Sequence, residues 1–125
     1  MFKKILVPVD GSEGSWRALE HAVVLGEKFE STIIVANVIQ PYNNAALLAI
    51  PLEMAQEKMA SYPHAVEYSL EVGHPSERII ALAKKIECDA IVLGSRGLSG
   101  IAEFFLGSVS SKVAQYASVP VLIVK

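Results

Sequence analysis

A single cysteine, Cys88, excludes any intrachain disulfide. A lone thiol fits a reducing compartment, so the cytoplasm is the expected location. No apolar run is long enough to form a helical membrane span. Two lysines precede an apolar run at the N-terminus, but Asp10 ends that run too early for a signal core; it reads as a strand, and no leader is expected. Neither sign of charge dominates, for 11 Lys and Arg stand against 13 Asp and Glu, a net of −2. A broad polyanion-binding face is not expected, and neither is a nucleic-acid partner. His21, His64 and His74 are isolated in sequence and none has a partner at ligand spacing, so no protein-held metal is expected. Repeats, low-complexity tracts and linkers are also missing. The 125 residues are expected to form one domain, 1–125.

What the chain does have is apolar content, 52 % against 19 % charged. That balance suggests strands covered on both faces, or an apolar oligomer interface. Lys3–Val9 and Thr32–Ile39 are nearly continuous apolar runs, as buried parallel strands are. Between them Ser12 is a plausible N-cap for a helix reaching Phe29, with Ala18, Ala22, Leu25 and Phe29 on its inner stripe. Gln40 to Asn44 reads as a loop, and the apolar Ala45–Ile50 stretch is ambiguous. Pro51 suits a first helical turn, placing a helix there with Leu52, Ala55 and Met59 inward. Ala65–Val72 alternates, with Val66, Tyr68, Leu70 and Val72 on one face and Glu67, Ser69 and Glu71 on the other. One wet face belongs near a sheet margin. Pro75 opens a helix carrying Ile79, Leu82, Ala83 and Ile86. A fourth strand, Ala90–Leu93, follows. A last helix spans Ser108–Ala117 with Val109, Val113, Tyr116 and Ala117 inward, before a fifth strand, Val119–Val124.

Alternating β and α units imply a parallel sheet with right-handed crossovers. The order 3-2-1-4-5 puts the alternating strand at one edge. It also reverses direction between strands 1 and 4, where open α/β sheets bind ligands beyond the strand C-termini. Two stretches meet there: Val9-Asp10-Gly11, and Gly94 to Ser110. The fifth strand forms the other edge although it is apolar throughout. Pairing with a second copy would cover it, and so would a helix or the terminal Lys125.

The stretch from Gly94 to Ser110 links a buried strand to a helix start, where unpartnered N–H groups and the helix dipole favour anions. It contains neither G-x-x-x-x-G-K-[ST] nor G-x-G-x-x-G. From the residues alone it is either a phosphate-binding loop or a structural loop with glycine turns. Arg96 is either a phosphate partner or a solvated charge. Gly100 and Phe104-Phe105-Leu106 suit packing of the loop. A phospho-accepting receiver domain would need an acidic cluster and a late lysine, which are missing. Cys88 has no second cysteine for redox work, and Ser12 and Ser108 have no His–acid partners for nucleophilic work.

Gly94-x-x-Gly97, nine residues, then Gly107-Ser108 is similar to the G-2x-G-9x-G-[ST] signature of nucleotide-binding universal stress proteins. Ile5 to Ser12, Asp89 to Gly97 and Val119 to Val124 resemble that family's first, fourth and fifth strands with their turns. The resemblance implies the same five-stranded fold, an ATP ligand and dimerisation through strand 5. It assigns Asp10 to the ribose or purine side, with Pro8 and Val9 shaping that wall, and Val38 to the adenine pocket. Gly94, Arg96 and Gly97 would line the ribose and phosphates. Gly107, Ser108, Val109 and Ser110 would give N–H groups and hydroxyls to the phosphates. Mg²⁺ or Mn²⁺ would be held mainly by the phosphates. The segment between strands 2 and 3 is shorter than is usual in that family. No catalytic residue can be named, so ATP hydrolysis is expected to be weak or partner-dependent at most. The implied function is a small regulatory protein of the stress response that works by nucleotide binding and homodimerisation. The alternative is a dimeric interaction module of the same fold without a nucleotide, or a slow ATPase.

Overall fold

The computed structural model describes residues 1–40, 50–95 and 107–125. Its elements are β1 Lys4–Pro8, α1 Glu13–Phe29, β2 Thr32–Ile39, α2 Ile50–Lys58, β3 Val66–Val72, α3 Pro75–Ile86, β4 Ala90–Gly94, α4 Ser108–Tyr116 and β5 Val121–Val124. One sheet runs β3-β2-β1-β4-β5 with every neighbouring pair parallel, as the sequence implied. The readings at Pro41 to Asn44, most of Ala45–Ile50, Arg96, Gly97, Gly100 and Phe104 to Leu106 lie outside the described residues.

Side chains alternate along a strand, and both faces of this sheet are covered. Ile5, Val7 and Val9 pack with Ala18, Leu19 and Ala22 of α1 and Ala55 of α2. Leu6 points the other way, into Ile79, Leu82 and Ala83 of α3 and Val113 of α4. Ile5, Leu6 and Val7 are fully buried. Each contributes on the order of 1.5–3 kcal/mol by leaving water, which is why β1 reads as an unbroken apolar run.

Ser12 caps α1 as expected, its Oγ accepting the Ser15 N–H at 3.2 Å. The inner stripe of α1 differs from the expected one. Ser15, Ala18, Leu19, Ala22 and Gly26 are buried, Leu25 is half-buried, and Phe29 is exposed with its ring edge-on to Phe2 at 5.3 Å. Ala18 and Ala22 of the expected stripe are buried as read, and Leu19 is buried with them, but the small Ser15 and Gly26 take inward places in preference to Leu25 and Phe29. Tyr116 departs in the same way: it is exposed on α4, while Val113 is fully buried.

β3 alternates as read, but its faces are not simply wet and dry. Val66 and Tyr68 pack on the α1 side, whereas Leu70 and Val72 are exposed. Glu71, expected in water, is half-buried because Arg78 of α3 lies against it at 3.1 Å. No described helix is long and apolar enough to cross a membrane.

Candidate functional site

β1 and β4 are neighbours whose chains leave the sheet in different directions. The crevice between their ends has an empty volume of about 630 Å³. The first wall is the β1–α1 turn: Pro8, Val9, Asp10, Ser12 and Ser15. Gly11 adopts φ 91°, a left-handed conformation that favours glycine. That turn directs Asp10 back onto the helix start, where its Oδ1 accepts from the Ser12 N–H at 2.9 Å and the Ser12 hydroxyl at 2.5 Å. Both bonds fall on one oxygen, and no hydrogen bond joins Oδ2 to another described residue.

The opposite wall is the end of β4 and the start of α4: Leu93, Gly94, Gly107, Val109 and Ser110. Gly107 caps α4 at φ −65° and ψ 163° with no side-chain cap bond. The first N–H groups of α4 therefore keep their hydrogen-bonding capacity toward the crevice.

The remaining side is apolar: Val38 from the end of β2, and Pro75 and Ile79 from α3. β2 alternates its ladder bonds. On the β1 side the Thr32 N–H donates to the Lys3 carbonyl at 2.8 Å, and the Ala36 carbonyl accepts from the Val9 N–H at 2.8 Å. Ile33 donates to Ala65 at 3.0 Å and Ile39 accepts from Gly73 at 2.8 Å on the β3 side. Val38 shares the parity of Thr32 and Ala36. Past Val9 the chain has turned away at Gly11, so the Val38 peptide groups face the crevice where β1 no longer pairs. A donor and an acceptor at strand spacing, beside apolar side chains, suit the edge of a planar heterocycle.

Of the residues singled out from sequence, Pro8, Val9, Asp10, Val38, Gly94, Gly107, Val109 and Ser110 line one crevice. Ser108 is exposed at the helix start, outside the lining. Arg96 and Gly97 lie outside the described residues. The structure adds Ser12, Ser15, Leu93, Pro75 and Ile79. Ser12 had read only as a helix cap, and Ser15 had not been singled out. Pro75 and Ile79 had read only as a helix start and its core stripe. The signal for both was topological, since every β-to-α connection in a parallel sheet emerges at the same end.

Asp10 is the only charged side chain in the described lining. No group of three or more metal-ligating side chains exists among the described residues. No His, Lys or Cys lines the described crevice.

A profile of the universal stress protein family matches residues 1–125. Universal stress protein YxiE of Bacillus subtilis is 34 % identical, with 100 % of each chain covered. A solved universal stress protein in complex with cAMP superposes with a TM-score of 0.81 at 28 % identity, covering 98 % of this chain and 97 % of that one. An Arabidopsis thaliana protein of the same family, with AMP bound, gives a TM-score of 0.74 at 23 % identity, covering 98 % and 91 %. The last likeness concerns the fold alone.

Proposed function

The chain belongs to the universal stress protein family, and on that premise we propose that its crevice binds ATP and that nucleotide occupancy is its regulatory signal. The observation that carries this reading is the pairing of opposed surfaces across one gap: the Val38 peptide, which no described residue beyond the end of β1 meets, with its apolar neighbours, and the start of α4 without a side-chain cap. The first suits a purine and the second suits phosphates. A relative of known structure binds cAMP, another adenine nucleotide.

In this reading the base lies among Val9, Val38, Pro75 and Ile79, with its edge against the Val38 peptide. Asp10 Oδ2 accepts from a ribose hydroxyl, while Oδ1 stays committed to Ser12. Gly94 and Gly107 let the ligand approach the backbone, and the N–H groups of Ser108, Val109 and Ser110 receive the phosphates. Arg96 and Gly97 complete the phosphate side by the family signature. Mg²⁺ or Mn²⁺ would be held mainly by the phosphates and would offset charge that the described lining does not neutralise. Hydrolysis is at most slow, because no described residue is placed to activate water.

The protein is further proposed to act as a homodimer through β5. That edge strand presents Leu122 at 44 % exposure, and Tyr116 of the preceding helix is 62 % exposed. Sedimentation equilibrium tests the dimer, and a monomer at all concentrations rejects it. Calorimetry with ATP, with and without Mg²⁺, tests the ligand. Saturable binding is expected. A wild-type protein with no binding heat and no ligand-induced thermal shift is instead an interaction module on this fold.

A further inference from the structure

We propose that Ser110 is a positioning residue: its hydroxyl clasps the base of the 96–106 segment and holds the start of α4 toward the crevice, without touching phosphate. The clasp stands on geometry alone, while its effect on affinity rests on the ATP reading. Ser110 is 2 % exposed. Its Oγ donates to the Ser95 carbonyl at 2.8 Å and lies 3.1 Å from the Gly107 carbonyl, so one hydrogen serves two acceptors. The same Ser95 carbonyl accepts the Gly107 N–H at 2.6 Å, and the Ser95 N–H donates to the Val124 carbonyl at 2.9 Å. The Ser95 peptide is thus tied to β5 on one side and to the start of α4 on the other.

Chemistry explains why the hydroxyl stays there. Phosphate oxygens at neutral pH are acceptors, so a serine can serve them only by giving up its one hydrogen. Ser110 would have to release a buried carbonyl to do so, at a cost comparable to a lost hydrogen bond. Ser108 has no such commitment, because its side chain is exposed. The two serines of the expected phosphate set therefore divide the work. Ser108 remains a candidate ligand, and Ser110 fixes Gly107, from which the ligand-facing N–H groups project.

The test compares wild type, Ser110→Ala and Ser110→Thr. Amide hydrogen exchange at Gly107 is measured without nucleotide, and calorimetry gives the affinities for ATP and for adenosine. In Ser110→Ala, Gly107 should exchange roughly tenfold faster, as expected when a net hydrogen bond is lost. ATP should bind roughly tenfold more weakly, while adenosine, which has no phosphate, binds as before. Ser110→Thr keeps the hydroxyl and should restore both readings. Unchanged Gly107 exchange overturns the clasp. If ATP affinity falls nonetheless, the hydroxyl meets phosphate directly. Faster exchange with unchanged ATP affinity overturns the positioning role. If wild type binds no ATP, the ligand reading fails, and the clasp still stands or falls on Gly107 exchange.

Discussion

Gly94, the last residue of β4, rests on the Gly14 peptide in the first turn of α1 so closely that a methyl group on Gly94 would lie 2.8 Å from the Gly14 carbonyl carbon. Two walls of the crevice meet at this contact. Gly94→Ala must push the α1 start away, and with it the turn that aims Asp10. Its expected cost is about 1–3 kcal/mol of stability, as for other overpacked sites. Urea denaturation measures that loss, and calorimetry should show weaker ATP binding. A variant of wild-type stability would mean that a small shift absorbs the methyl group.

Asp10→Asn separates the two oxygens of one carboxylate. The amide retains an acceptor for the Ser12 bonds, so stability should stay within about 1 kcal/mol of wild type. The position of Oδ2 becomes a donor and no longer accepts from ribose. ATP affinity is expected to fall by about ten- to a hundredfold, the range for a hydrogen bond to a charged group. Calorimetry on the two proteins measures the ratio, and equal affinities would remove Asp10 from the site.

The fold was legible because its signals were long-range and redundant. Apolar runs at Ile5 to Val7 and Ile33 to Ala36, divided by helical stripes, leave few topologies, and the observed order was among them. What sequence missed was local closeness. The stripe of Ala18, Ala22, Leu25 and Phe29 was right at its two alanines, yet where α1 presses on the sheet the small Ser15 and Gly26 are buried and Phe29 is not. The same limit hid part of the site. Val38 was visible as a strand end, but what its peptide meets depends on where β1 stops. Ser110 carried a hydroxyl at a plausible spacing, and only the structure shows that the carbonyl of Ser95 holds it.

Glu71 gives a pH test of stability that needs no ligand. The Ser69 hydroxyl, donating at 2.6 Å, and then Arg78 hold its carboxyl below the usual carboxylate value, against burial, which opposes them. A pKa lowered in the folded state stabilises above the unfolded value, and that contribution is lost as pH falls through the folded one. Ser69→Ala should therefore be less stable than wild type near neutrality, and the gap should close in acid. The pair is partly exposed, so the gap should be under about 1 kcal/mol. Thermal melts from neutral to acid pH follow it. A gap that widens on acidification would have the wrong sign.

At the far end of α1, Gly26 and Tyr62 form a unit that should affect stability and leave the ligand alone. The Tyr62 hydroxyl donates to the Ser31 carbonyl at 2.6 Å, and the residue is 9 % exposed. Tyr62→Phe removes that donor, which should cost about 0.5–1.5 kcal/mol. A methyl group on Gly26 would overlap the same hydroxyl and sit 3.0 Å from Ile33 Cδ1. Gly26→Ala is expected to cost about 1–3 kcal/mol by overpacking. The two changes share one clash, so their effects should not add. In the double variant the hydroxyl that blocked the methyl group is absent, and the combined loss should fall short of the sum. Urea denaturation of the four proteins measures the coupling. All four should bind ATP alike, because neither residue lines the crevice. Strict additivity would show that the methyl group is resisted by Ile33 or the ring rather than by the hydroxyl.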